Sequence, residues 1–78
     1  MEAADENEVL DLRGLKCPLP ALFARRVLAR LPSGSSIRVL SDDPLAPVDI
    51  PHMCHKEGYD CVKSDSFGNC TALVLRRP

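Results

Sequence analysis

The segment Cys17-Pro18-Leu19-Pro20 constrains the fold more than any other, because it predicts where a helix begins. Proline is favoured in the first turn of a helix, where its missing N–H costs little. Apolar residues then recur with the spacing of an amphipathic helix, at Leu19, Leu22, Phe23, Val27 and Leu31. We therefore predict a helix from Pro18 to about Leu31, stopped by the Pro32 and Gly34 that follow.

The same segment places the thiol of Cys17 at the predicted helix N-cap. The partial positive charge of the helix dipole lies there, and cysteines in such positions commonly have a lowered pKa. The two prolines carry no N–H, so only the amides of Leu19 and Ala21 remain to face the sulfur. We expect a mildly electropositive site with a reactive thiolate. A Cys17 buried as a small apolar group is the less favoured alternative at a loop-to-helix junction.

The rest of the sequence predicts four strands and a second helix. The strands are predicted at Val9–Arg13, Ser36–Ser41, Tyr59–Asp65 and Cys70–Arg77. A turn containing Gly68 joins the last two strands into a hairpin, in which Cys61 would lie opposite about Val74 and would not pair with Cys70.

The segment Asp42-Asp43-Pro44 predicts the start of the second helix, with an aspartate as its N-cap. Because Pro47 and Pro51 follow, we expect an irregular first turn and a regular segment from about Val48 to Glu57, ended by Gly58. The order β-α-β-α-β-β predicts an α/β fold. It is a two-layer sandwich, with two helices on one face of a four-stranded mixed sheet. The uncovered sheet face is either ordinary surface or a docking surface.

The composition describes one small domain with an acidic start. Of the 78 residues, 1–7 are expected to form a disordered acidic tail and 8–78 a single domain with an aliphatic core. A net charge of −1 and few aromatic residues do not favour direct binding of nucleic acid. Since no apolar run could span a membrane and no secretory signal is recognisable, we expect a cytoplasmic protein without membrane contact.

Four cysteines allow disulfides, free thiols or a metal site: Cys17, Cys54, Cys61 and Cys70. Reduced thiols are favoured in a cytoplasmic protein. The spacing from Cys54 to Cys61 and Cys70 lacks the short paired spacings of structural zinc sites, so we expect no metal. Cys54 is expected to pack in the core, and a role as a second redox-active thiol is less favoured.

Two separated blocks of the sequence resemble the TusA (SirA-like) family of sulfur carrier proteins. The first is Leu10-Asp11 followed by Gly14-Leu15-x-Cys17-Pro18-x-Pro20. The second is Asp42-Asp43-Pro44, then Asp49-Ile50-Pro51 and Cys54. The similarity extends from Val9 to Arg77, and the family fold is the same two-layer sandwich that the pattern predicts.

The resemblance implies a sulfurtransferase that holds sulfur as a persulfide on Cys17. It also implies two protein partners: a sulfur donor, either a cysteine desulfurase or a rhodanese-like protein, and a sulfur acceptor. Known destinations in the family are tRNA thiolation, molybdenum cofactor assembly and sulfur oxidation. No cofactor is expected, because a thiolate attacks a sulfane sulfur directly.

Five neighbours of the cysteine complete the predicted site. Gly14, Pro18 and Pro20 are expected to shape it, while Arg13 and Lys16 are candidates to stabilise the thiolate or to contact a partner.

Three residues depart from the family pattern, namely Pro47, Cys61 and Cys70. Because two of them are cysteines, the sequence leaves open whether Cys17 is the only reactive thiol. The alternative function is a non-catalytic regulatory or adaptor module that uses the uncovered sheet face. In that case Cys-Pro-x-Pro would serve only to start a helix.

Overall fold

A computed structural model describes residues 9–78, and these form four strands and two helices in the order β-α-β-α-β-β. The strands are β1 (Val9–Asp11), β2 (Ser36–Ser41), β3 (Asp60–Phe67) and β4 (Cys70–Arg76). The helices are α1 (Leu19–Arg30) and α2 (Ala46–Glu57). The predicted architecture is confirmed. The tail predicted at 1–7 lies outside the described residues.

The sheet has the strand order β1-β2-β4-β3. Strand β1 is parallel to β2, whereas β4 is antiparallel to both of its neighbours. Because parallel strands end at the same edge of a sheet, the loops that follow β1 and β2 leave that edge together. The helices that these loops introduce pack against each other. The beginnings of α1 and α2 therefore lie side by side.

An aliphatic core joins the sheet to the helices. Ile37 and Val39 of β2 lie opposite Leu75 and Leu73 of β4, and all four side chains are buried. The helices contribute the buried residues Ala24, Leu28, Ala46, Ile50, Met53 and Cys54. Within residues 9–78, neither helix has the length and apolar character needed to cross a bilayer.

The inward face of α1 agrees only in part with the prediction, since Val27 and Leu31 pack against the core as expected. Pro20, Ala24 and Leu28 are buried at a spacing of four residues, whereas Leu22 and Phe23 are exposed. The small side chain of Ala24 leaves room for a neighbouring element to approach closely, and Leu28 fills the core one turn later. Several large apolar side chains of α1 consequently lie at the surface.

The start of α2 also differs from the prediction. Leu45, not an aspartate, is the N-cap, and the helix begins at Ala46. Asp43 is instead buried in the preceding turn, where its carboxylate accepts the N–H of Leu45 at 3.2 Å. Pro51 lies inside the helix without ending it. Gly58 ends the helix as predicted, in a left-handed conformation with φ of +81° that favours glycine.

The hairpin of β3 and β4 is longer than predicted, since β3 continues to Phe67 and the turn contains only Gly68 and Asn69. A register shift between Cys61 and Lys63 places Cys61 opposite Leu75, one residue from the predicted Val74. Cys61 and Cys70 remain unpaired, and all four cysteines are free thiols.

Burial of Cys54 makes the stability sensitive to alkaline pH. This thiol is 1% exposed, and burial raises its pKa from 9.0 to about 12. The pKa of this thiol is higher in the folded than in the unfolded protein. Its contribution to the free energy of unfolding is therefore complete below pH 9.0 and is lost as the pH rises toward 12. We expect the urea midpoint to fall over this range, and to fall less in Cys54→Ala. Equal pH slopes in the two proteins would contradict this assignment.

Candidate functional site

Cys17 lies in the loop between β1 and α1 with its side chain exposed. The helix N-cap is Pro18, whose φ of −97° and ψ of 12° precede the first helical residue, Leu19. The prediction that Cys17 is the N-cap is therefore wrong by one residue. Pro20 is buried in the first turn, and the peptide bond between Cys17 and Pro18 is cis.

The amide of Leu19 is not available to the sulfur. It donates to the carbonyl of Lys16 at 2.8 Å and so closes a turn around Cys17. Since Pro18 and Pro20 have no N–H, the start of α1 offers the sulfur less positive charge than the sequence predicts.

The sulfur instead contacts the neighbouring helix. Sγ of Cys17 donates a hydrogen bond to Oδ2 of Asp49 across 2.9 Å. Asp49 is half-buried in the first turn of α2, where a carboxylate is favoured by the helix dipole. The pair forms because the loops after two parallel strands bring the beginnings of both helices together.

This contact reverses the predicted electrostatics of the site. The hydrogen bond to Asp49 raises the pKa of the Cys17 thiol, and desolvation and the negative charges of Asp49 and Asp43 act in the same direction. A carboxylate beside a thiol disfavours the thiolate, because the two negative charges repel. The prediction of a lowered pKa in an electropositive site is wrong for the free protein.

The predicted basic residues occupy other positions. The guanidinium of Arg13 forms two hydrogen bonds with the carboxylate of Asp11, at 2.8 and 2.7 Å. This pairing lowers the pKa of Asp11 to about 2 and raises that of Arg13. Lys16 is exposed, and its carbonyl accepts the Leu19 amide. The groups that shift the Cys17 pKa are acidic, namely Asp49 and Asp43.

Gly14 connects this loop to the segment after β2. Its amide donates to Oδ1 of Asp42 at 2.9 Å, and its φ of +92° lies in the region that favours glycine. The hydrogen bond fixes the path of the chain three residues before Cys17. Asp42 is thus a second carboxylate that positions the site.

A cleft of about 410 Å³ opens between α1 and α2 beside the sulfur. It is lined by Cys17, Pro18, Ala21, Leu22, Arg25, Asp49, His52, Met53, Lys56 and Glu57. Most of its surface is apolar, and its charged side chains include Arg25 and Glu57, which lie 3.7 Å apart. The cleft thus offers an apolar surface with a thiol at one end.

The other three thiols are less accessible. Cys54 is buried, Cys61 and Cys70 are half-buried, and burial raises the pKa of Cys61 as well as that of Cys54. Among residues 9–78, no three side chains of His, Cys, Asp or Glu are grouped so that they could hold a metal ion.

The contacts of Asp42 and Asp49 with the cysteine loop were not predicted. Both residues stand in the sequence block that follows β2, and a signal for their role was available. Once β1 and β2 are assigned as a parallel pair, polar residues at the two carboxyl ends are expected to meet.

The chain is similar over nearly its whole length to one known protein family. The family model described as Sulfurtransferase TusA matches residues 8–77. The chain belongs to the TusA family. A protein of Neisseria meningitidis serogroup A assigned as a sulfur carrier is 43% identical over 70 residues, which are 90% of this chain and 95% of that protein. The sulfur carrier protein TusA of Buchnera aphidicola is 41% identical over 49 residues, 63% of this chain and 62% of its own length.

A solved structure shares the TusA fold. The crystal structure of a SirA-like protein from Desulfitobacterium hafniense superposes with a TM-score of 0.76 at 23% identity. The match covers 87% of this chain and 93% of that one. The β-α-β-α-β-β sandwich seen here is therefore the fold of a SirA-like protein, and TusA membership supports a role in sulfur transfer.

Proposed function

We propose that this TusA-family chain is a cytoplasmic sulfur carrier that receives sulfane sulfur as a persulfide on Cys17 and passes it to an acceptor protein. The observation that carries the proposal is the exposure of Cys17 at the end of the α1–α2 cleft, in a chain of a sulfurtransferase family. The other three thiols are buried or half-buried.

The transfer step balances without an oxidant. Sγ of Cys17 attacks the outer sulfur of a donor persulfide, and the bond between the two donor sulfurs breaks. The electron pair leaves with the inner sulfur of the donor, which takes up the proton that Cys17 loses. The products are a donor thiol and a Cys17 persulfide. The acceptor step repeats the exchange, with Cys17 as the leaving group.

Apolar side chains near the sulfur provide a surface for these partners. Leu19 and Leu22 of α1 are 41% and 45% exposed, and Leu45 and Val48 at the start of α2 are 51% and 66% exposed. Cys17 directly precedes the N-cap of α1 in the sequence, and its hydrogen bond to Asp49 places it beside the start of α2. A donor or acceptor that docked here would cover apolar surface and exclude water from the exchanging sulfurs.

The adaptor alternative depends on the sheet face that carries no helix. On that face Arg38 and Arg76 are exposed, and Arg76 pairs with Asp60 at 3.0 Å. The apolar side chains of Val9 and Phe67 on the same face are 55% and 58% exposed. Single exposed apolar side chains are common on ordinary surfaces, whereas membership of a sulfurtransferase family supports sulfur transfer, which is therefore the better supported function.

Intact mass spectrometry tests the proposal. The chain is incubated with a cysteine desulfurase and cysteine without added reductant, and we expect it to gain the mass of one sulfur atom. Dithiothreitol should remove that sulfur, since it is held as a persulfide. A chain that gains no sulfur from either a desulfurase or a rhodanese would favour the adaptor alternative.

A further inference from the structure

The contact between Cys17 and Asp49 is unusual for a thiol that must react. Reactive cysteines generally lie beside cations or free helix amides, which stabilise the thiolate. Here the Leu19 amide is occupied by Lys16, and the nearest partner of the sulfur is a carboxylate oxygen at 2.9 Å. An ionised Asp49 accepts a hydrogen bond only from a protonated thiol, so the contact itself selects the neutral form of Cys17.

We propose that Asp49 is a positioning residue that holds the proton on Cys17 in the free carrier and so limits its reaction with unintended electrophiles. The usefulness of such a restraint rests on the proposed function, because an unpartnered carrier must neither oxidise nor lose its sulfur. The restraint itself is a property of the free thiol and can be measured without any sulfur transfer.

The surrounding charges leave Asp49 without a neutralising partner. The other charged or titratable groups near the pair are Asp43, Lys16, Arg25, His52, Lys56 and Glu57. Asp43 disfavours the thiolate in the same direction as Asp49. Arg25 lies 3.7 Å from Glu57, and among residues 9–78 no ion pair joins Asp49 to a cationic side chain. A cationic side chain that a partner placed beside Asp49 would therefore neutralise its charge and allow Cys17 to lose its proton.

The same carboxylate acts on the loaded carrier. When a small thiol attacks the outer sulfur of the persulfide, Cys17 must leave as a thiolate, and a thiol of higher pKa leaves more slowly. Asp49 should therefore also slow the loss of sulfur from the carrier to cellular thiols.

Alkylation kinetics test the restraint. Trypsin places the four cysteines on separate peptides, 17–25, 39–56, 57–63 and 64–76, so the iodoacetamide rate of each thiol can be followed by mass spectrometry. We expect Asp49→Asn to alkylate Cys17 severalfold faster at neutral pH and to shift the midpoint of the rate profile to lower pH. The matched control is Asp65→Asn, an exposed substitution on β3 whose carboxylate lies 3.7 Å from Lys63. It should leave the Cys17 rate unchanged.

An unchanged or slower Cys17 rate in a folded Asp49→Asn protein would overturn the inference. If that variant does not fold, the native chain still gives an answer. Its Cys17 midpoint should lie above that of the same chain unfolded in urea, and a midpoint at or below the unfolded value would reject the restraint.

The two proposals fail separately. Faster alkylation in Asp49→Asn with no sulfur loading of the native chain would support the restraint and reject the carrier. Sulfur loading on Cys17 with equal alkylation rates would do the reverse. In loaded chains, glutathione should remove sulfur faster from Asp49→Asn than from the native protein, and equal rates would count against the restraint.

Discussion

Replacement of Cys17 by serine should abolish the gain of sulfur from a cysteine desulfurase. A serine hydroxyl has nearly the same shape as the thiol and can donate to Asp49, but it does not attack a sulfane sulfur under these conditions. Since Cys17 is exposed, the substitution should leave the fold and the urea midpoint nearly unchanged. The expected loss is complete, which makes it the largest functional effect in this chain.

The matched controls are the other cysteines. Cys61→Ser and Cys70→Ser, combined or separate, should load sulfur as the native chain does, and so should Cys54→Ala if it folds. A Cys17→Ser chain that still gains sulfur would contradict the assignment of Cys17 as the loaded thiol. Loss of loading in a folded Cys61→Ser or Cys70→Ser protein would contradict it equally.

Replacement of Leu73 by alanine should cause the largest loss of stability. Leu73 is fully buried in β4, where it lies between Val39 of β2 and Ser64 of β3. Removal of a buried leucine side chain costs about 2–5 kcal/mol, through lost transfer free energy and the cavity left behind. A small domain has a total stability of only about 5–15 kcal/mol, so the variant should be close to unfolding.

Urea denaturation measures this effect, with Val62→Ala as the control. Val62 is 60% exposed on the edge strand β3, and its truncation should cost less than about 1 kcal/mol. Similar losses for the two variants would mean that the core does not lie where β2, β4 and the helices meet.

The order of elements was predictable because each element has a local signal. In Ser36–Ser41 the apolar residues Ile37 and Val39 are two positions apart, as on the inner face of a strand, and the predicted bounds agree with β2. Gly58 ends α2 in a left-handed conformation that glycine adopts easily, so the glycine itself marks the end of the helix in the sequence. Local rules of this kind, together with the general rule that two parallel strands joined through a helix have a right-handed crossover, were enough to predict the sandwich.

The inward face of α1 was not predictable from hydropathy alone. Leu22 and Phe23 are more apolar than Ala24, yet Ala24 is buried and the larger side chains are exposed. The difference depends on how closely the helix approaches its neighbours, which is a tertiary property. If partners dock at these exposed side chains, binding rather than folding explains their apolar character.

The electrostatics of Cys17 failed as a prediction for a related reason. A helix start seen in isolation attracts negative charge, so a thiol placed there is expected to ionise readily. The actual neighbour of the sulfur is Asp49, which is 32 residues away in sequence and is brought close by the parallel pairing of β1 and β2. The sequence shows where the thiol lies, but the direction of its pKa shift depends on the three-dimensional contact with Asp49.

The most direct measurement locates the transferred sulfur in the native chain. After loading by a cysteine desulfurase, persulfides are trapped by alkylation and the chain is cut with trypsin, which separates the four cysteines onto different peptides. We predict that the extra sulfur lies on peptide 17–25. Sulfur found on any of the other three peptides and not on this one would contradict it.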